Sequence, residues 1–316
     1  MTNKKPELKR LLLFLLFAFG IAWIPAIILN ETVGYENWFN GPYVIFGLPT
    51  LYAPALANII TRKITKEGWE NSLFHLNFKG HLKYYVLAVL FPFIQGLLSN
   101  ITATLVYGHW DFHEMLARQS FSDYFGSILL MFAMAPLLAW NTFGEEFGWR
   151  AYMNQKMEPL LGTTGTVIIG GIIWGVWHAP LTVKGHNFGT DYWGFPWLGI
   201  VFMSVWCIVM GVFLMWLTKK SGSIFPAAIM HICNNAGIPH LNRFFLSGFG
   251  DLEEYEQTIP QMFVCMIPYL ILAGVFTYFM IRDGKKQKPV LQSDEPAEKT
   301  APSAADLQND ERCLTE

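Results

Sequence analysis

Stretches of about twenty apolar residues, set apart by short polar and charged segments, recur along the whole chain. A helix crossing the hydrocarbon core of a bilayer needs about 20 mostly apolar residues. Eight stretches qualify, at about 11–30, 41–60, 84–107, 124–157, 163–181, 194–217, 223–240 and 261–281. The first is too long for a typical signal-peptide core and lacks a clear small-residue cleavage site, so it reads as a span. Pro49, Pro54, Pro92, Pro136 and Pro226 fall inside the stretches, where membrane helices tolerate proline because neighbours repair the backbone bonding. The pattern predicts an all-α, polytopic membrane bundle of about eight transmembrane helices.

The polar punctuation gives the bundle an orientation. Of the 22 Lys and Arg residues, only Arg118, Lys184 and Arg243 fall on one side of an eight-span arrangement. The others cluster on the opposite side, and cationic residues stay cytoplasmic during insertion. Both termini are therefore expected in the cytoplasm. The outer segment 241–260 is acidic instead, with Asp251, Glu253, Glu254 and Glu256, while Trp193, Phe195 and Trp197 read as an interfacial aromatic anchor. After about residue 283 Pro, Ser, Ala, Asp and Glu take over, as in a disordered cytoplasmic tail. The expected organisation is thus a bundle over 1–282 and a tail over 283–316. The tail ends Cys313-Leu314-Thr315-Glu316, which places a cysteine fourth from the end as in a prenylation box, but Glu is an atypical last residue there.

Composition agrees and narrows the classes. Of 316 residues 53% are hydrophobic and only 15% charged, where a soluble domain carries about 25% charged. A net charge of −2 offers no basic surface for nucleic acid. The four cysteines form neither a disulfide framework nor a C-x-x-C motif. His109, His113 and Glu114 do not follow the H-E-x-x-H order of zinc proteases and read as a solvated loop, and His186 and His240 sit near outer span ends.

Against this background, the ionisable and amide groups inside the spans carry the information, because such groups are costly in lipid. They gather in three places: Glu145-Glu146-Phe147-Gly148-Trp149-Arg150, Trp174-Gly175-Val176-Trp177-His178, and His231-Ile232-Cys233-Asn234-Asn235. On a helix Glu146 and Arg150 share a face, Glu145 is turned about 100° away, and His231 and Asn235 project together. Each cluster alone could be a structural ion pair or interhelical hydrogen-bond glue. Three in one small bundle argue for a shared site. If the fourth helix continues to about Met157 and ends at Pro159, Glu145, His178 and His231 lie about 18, 22 and 12 Å from the cytoplasmic ends of their spans. That places all three near mid-membrane. A carboxylate and an imidazole facing one water form a general base. A second imidazole and an amide can hold a developing oxyanion. Glu145, His178 and His231 could equally form a zinc site with an open position for water. The sequence permits both.

With these residues in hand, the chain resembles the CPBP intramembrane proteases, a family that includes the CAAX prenyl proteases and the bacteriocin-processing and immunity proteins. Its three motifs are E-E-x-x-x-R, F-x-x-x-H and H-x-x-x-N. Glu145, Glu146 and Arg150 match the first and His231 with Asn235 the third, while Trp174 replaces the phenylalanine of the second and His178 keeps its histidine. The matched core covers about 124–240. The resemblance implies that Glu145 and His178 activate a water, that Glu146 and Arg150 orient and support them, and that His231 and Asn235 hold the oxyanion. It also implies a metalloprotease label, with zinc as the candidate metal. The substrate would be a membrane-associated peptide or protein, prenylated or bacteriocin-like, in what is expected to be a bacterial cell membrane. A proton-coupled transporter and a non-catalytic immunity or scaffold protein are the competing classes, separable by peptide cleavage against substrate flux.

Overall fold

The structure, a computed structural model, describes residues 5–38, 40–107, 110–118, 120–237, 245, 248 and 263–286. Every regular element among them is helical. In chain order these are α1 (Lys5–Thr32), two 3-10 turns (Tyr35–Asn37 and Gly41–Tyr43), α2 (Val44–Leu51), α3 (Ala53–Thr65), α4 (Leu82–Tyr107), α5 (Phe112–Arg118), α6 (Phe121–Leu138), α7 (Trp140–Gly148), a π turn (Trp149–Met153), α8 (Asn154–Trp177), α9 (Ala179–Thr182), α10 (Trp197–Ser221), α11 (Phe225–Ile232), a second π turn (Cys233–Gly237) and α12 (Ile267–Lys286).

Four helical runs are long and apolar enough to cross a bilayer: Lys5–Thr32, Leu82–Val106, Trp140–Trp177 and Trp197–Ser221. Gly41–Leu51 and Ala53–Thr65, bent by 56°, make a fifth when taken as one. The protein is an integral membrane protein built from helices. The remaining apolar stretches form shorter or broken pieces. The expected helix over 124–157 divides at Ala139 into α6 and α7, just after Pro136, which has no N–H to give the helix. The chain then stays helical past both Glu146 and Pro159. Its break comes at Gly162, with φ 68° and ψ 176°, a backbone that glycine adopts without the usual penalty. Within the stretch at 223–240, the described residues form an eight-residue helix followed by the second π turn.

Other expectations shift as well. Residues 112–118, read as loop, form a short helix whose start is capped by Asp111 Oδ1, which accepts the His113 backbone N–H at 2.7 Å. The tail expected from 283 begins as helix, since 283–286 still belong to α12. His109, His240, Arg243, the acidic residues at 251–256 and residues 287–316, Cys313 included, lie outside the described residues. Trp193 and Trp197 are largely exposed.

The packing that positions the site centres on α8. Its closest neighbour is α10: a Cβ on Gly171 would meet the Ile208 Cα at 2.4 Å, and one on Gly175 the Ser204 Cα at 2.3 Å. Small residues let two membrane helices approach until backbone touches backbone. On its other side α8 is tied to α1, where Trp177 Nε1 donates to the Ala18 carbonyl at 3.1 Å and Trp23 Nε1 to the Trp177 carbonyl at 3.0 Å. Trp149, Tyr152 and Phe14 pack together in this core. Helix α7 is stitched to α3 by Asn58, which donates to the Phe147 carbonyl at 2.7 Å, and to α11 by Thr142, which donates to the Ala228 carbonyl at 2.7 Å. The carbonyls of Phe147 and Ala151, beside or within the first π turn, thus find buried partners in Asn58 and Arg62. Such turns recur at functional sites.

Candidate active site

Three helices and the two π turns bring the polar clusters together. Glu145 and Glu146 lie on α7, Arg150 in the first π turn, His178 immediately after α8, His231 on α11, and Asn234 and Asn235 in the second π turn. Glu145, Glu146, Arg150, His178 and His231 are all buried.

The adjacent glutamates face different partners. Glu146 is fully buried; its Oε1 lies 2.8 Å from His231 Nδ1 and its Oε2 is 3.1 Å from Arg150 Nε. A carboxylate has only acceptor oxygens, so His231 Nδ1 carries the proton and Nε2 is turned away from Glu146. Glu145 is held differently. Its Oε2 accepts Trp174 Nε1–H at 2.5 Å and lies 3.9 Å from His178 Nε2. His178 Nδ1 donates to the Trp174 carbonyl at 2.9 Å. A carbonyl can only accept, so in the neutral ring Nε2 keeps its lone pair. Arg150 places its guanidinium 4.1 Å from the centre of the Trp174 ring, a favourable cation–π stack in a desolvated site.

Both pairs open on one cavity of about 600 Å³. Glu145, Trp174, His178, His231, Asn234 and Asn235 line it together with an apolar wall from α1, α10 and α12, including Trp23, Phe202, Met203 and Tyr269. The structure therefore gathers Glu145, His178, His231 and Asn235 around one space, with Glu146 and Arg150 directly behind. Asn235 is exposed there, and the buried Asn234 donates to its Oδ1 at 3.3 Å.

Three cavity residues were not legible as site residues. Trp174 stood out only as an aromatic in a motif, yet it supplies the N–H that Glu145 accepts. Asn234, next to Asn235 in sequence, shares the lining because of the π turn. His186, read as unremarkable near a span end, lines the cavity with its Nδ1 2.5 Å from the Tyr35 hydroxyl. Burial, aided by repulsion from His178, pushes His186 down to about 4, with Glu145 opposing, and burial raises the Tyr35 hydroxyl. His186 is therefore neutral at physiological pH. Its only early signal was being one of eight histidines in a chain poor in charge.

The fit to a metal is a separate question. Among the described residues no group of three or more His, Cys, Asp or Glu is arranged to hold a metal ion. The Nδ1 atoms of both histidines donate to protein acceptors, which leaves their Nε2 atoms as the ones a metal could use, and Glu145 Oε2 is engaged by Trp174. Among the described residues Glu145, His178 and His231 are not gathered as a three-ligand set, so no chemical step is assigned to a metal.

Residues 122–237 match the family model of the Rce1-like, type II CAAX prenyl endopeptidases. No curated protein matches the chain. The matched stretch runs from the start of α6 to the end of the second π turn and contains every residue of the three clusters. The chain thus carries an Rce1-like segment of a membrane protease family, in keeping with its motifs.

Proposed function

We propose that this protein is an intramembrane endopeptidase that hydrolyses a peptide bond in a membrane-associated substrate. The observation that carries the reading is the convergence of two Glu–His pairs, Glu145–His178 and Glu146–His231, on one largely apolar cavity of about 600 Å³. That volume lies within the usual range of ligand sites, about 300–1,000 Å³.

In the proposed reaction a water hydrogen-bonded to Glu145 and His178 Nε2 attacks the scissile carbonyl carbon. Its proton passes to this pair as the C–O bond forms. His231, carrying a proton on Nε2 in the working state, donates that N–H to the oxyanion with the Asn235 amide, and Glu146 balances the imidazolium. Collapse of the intermediate breaks the C–N bond, and the proton held by Glu145 and His178 moves to the leaving nitrogen. With His231 protonated, Glu145, Glu146, Arg150 and His231 sum to zero charge, which suits a site shielded from water. The apolar wall suits a substrate with a greasy portion, and the family match favours a prenylated C-terminal segment over a bacteriocin-like peptide. We further propose an even number of crossings with both ends cytoplasmic, on the Lys and Arg distribution.

The test is cleavage of reporter peptides, prenylated and unprenylated, by the purified protein in proteoliposomes. Glu145→Gln and His178→Ala are each expected to lower kcat at least about 100-fold, and chelation to leave it unchanged. Normal cleavage by both variants would remove these residues from the reaction. Flux of a solute with no peptide product would replace the protease with a transporter.

A further inference from the structure

Trp174 sits between the two Glu–His pairs and touches both. Its Nε1–H donates to Glu145 Oε2 at 2.5 Å, its ring face carries the Arg150 guanidinium at 4.1 Å, and its ring stands nearly perpendicular to that of His231 at a centroid separation of 5.3 Å. It also supplies the backbone carbonyl that fixes the His178 tautomer. The side chain is only 4% exposed and stands on α8 one turn before His178, so backbone and indole are fixed by one rigid element packed against α10.

The geometry points to Trp174 as a positioning residue for Glu145, and this rests on the protease reading above. A carboxylate on a glutamate side chain has a broad terminal torsion, so burial alone does not choose which oxygen faces the cavity. The indole N–H makes that choice by pinning Oε2. A hydrogen bond to a charged acceptor is among the strong ones, and in a cavity shielded from water it is not replaced by solvent. Because Oε2 is also the oxygen 3.9 Å from His178 Nε2, the same bond sets the spacing of the base pair. Phenylalanine has a comparable ring face for Arg150 but no N–H. In a chain that carries Trp here, phenylalanine would leave Glu145 free to rotate, even towards Arg150. The ring therefore also keeps the adjacent carboxylates apart: Glu146 has the cation's side chain, and Glu145 has the indole.

Two replacements separate this role from simple packing. Trp174→Phe removes the N–H and part of the volume. Exchange of Trp174 for 3-benzothienylalanine removes the N–H and keeps shape and ring face, so a misfolded Phe variant would not leave the question open. Both are expected to lower kcat on a peptide reporter by about 10- to 100-fold with KM within about twofold, whereas 5-fluorotryptophan, which keeps the N–H, should restore kcat. A second readout needs no activity. Among the indole ¹⁵N–H resonances of the 12 tryptophans, the signal missing in Trp174→Phe should shift on Glu145→Gln. Unchanged kcat in the benzothienyl variant, or an indole signal indifferent to Glu145→Gln, overturns the proposal. Wild-type protein that cuts no peptide, with the indole shift intact, would instead overturn the protease reading alone.

Discussion

Glu145 and Glu146 are neighbours in sequence and opposites in structure. Glu146 closes a compact ion-pair group: His231 on one oxygen, Arg150 on the other, no exposure. Glu145 meets one neutral donor, Trp174, stands 3.9 Å from His178, and lines the cavity. The difference comes from the helix, which turns consecutive side chains about 100° apart and so sends one carboxylate into the packed interface with α11 and the other into the cavity. A closed group suits holding and a group with a free face suits reacting. Under the proposed function, Glu146 therefore belongs to the framework that poises His231, and Glu145 to the chemistry.

The contrast can be broken by stability and activity measured side by side. The largest effect should follow Glu146→Gln, which leaves a buried Arg150 without its counter-charge. A loss of about 3–5 kcal/mol is expected, read as a lower unfolding midpoint in detergent together with lost cleavage. Glu145→Gln still offers an oxygen to Trp174 and should change stability by less than about 1 kcal/mol while removing activity. Equal destabilisation by the two would erase the distinction.

A third carboxylate, away from the cavity, serves as a control. Glu67, in the segment after α3, pairs with Lys156 Nζ at 2.5 Å and accepts the Tyr152 hydroxyl at 2.5 Å. Burial pushes its carboxyl up, but the bonds from Lys156 and Tyr152 outweigh it and hold the group below the usual carboxylate range. A depressed folded-state value means its contribution is complete above the ordinary carboxylate pKa and is lost as pH falls through the depressed one. Glu67→Gln should flatten this acid limb of the stability–pH curve and leave kcat at neutral pH within about twofold, since the group is remote from the reacting atoms. The smallest effect is expected at the cavity's far pair. Tyr35→Phe removes one hydrogen bond to His186 and should cost about 1 kcal/mol. His186, with its folded value near 4 against an unfolded value of about 6.5, makes the protein less stable as pH falls between those values. His186→Asn should remove that part of the slope.

Much of this site was readable from the chain because it depends on local geometry. The Glu146–Arg150 pair is an i, i+4 contact, set by 3.6 residues per turn, and the scarcity of charge made the three polar clusters conspicuous. What was misread depended on details with little local signal. The division of the fourth stretch at Ala139 broke what hydropathy presents as continuous, and His186 was passed over because its loop folds back to the cavity.

The amino-acid sequence by itself determined that this is a helical membrane protein and which of its polar residues sit where lipid penalises them, because both follow from residue chemistry and helical rise alone. Only the tertiary structure decided who pairs with whom. Glu146 with His231, 85 positions apart, and Trp174 with Glu145, 29 apart, meet through the close approach of α8 to α10 and the stitching of α7 to α3 and α11. Those contacts depend on glycine placement, π turns and buried amide–carbonyl bonds. They are set by how helices fit together in space, which hydropathy along one dimension does not encode.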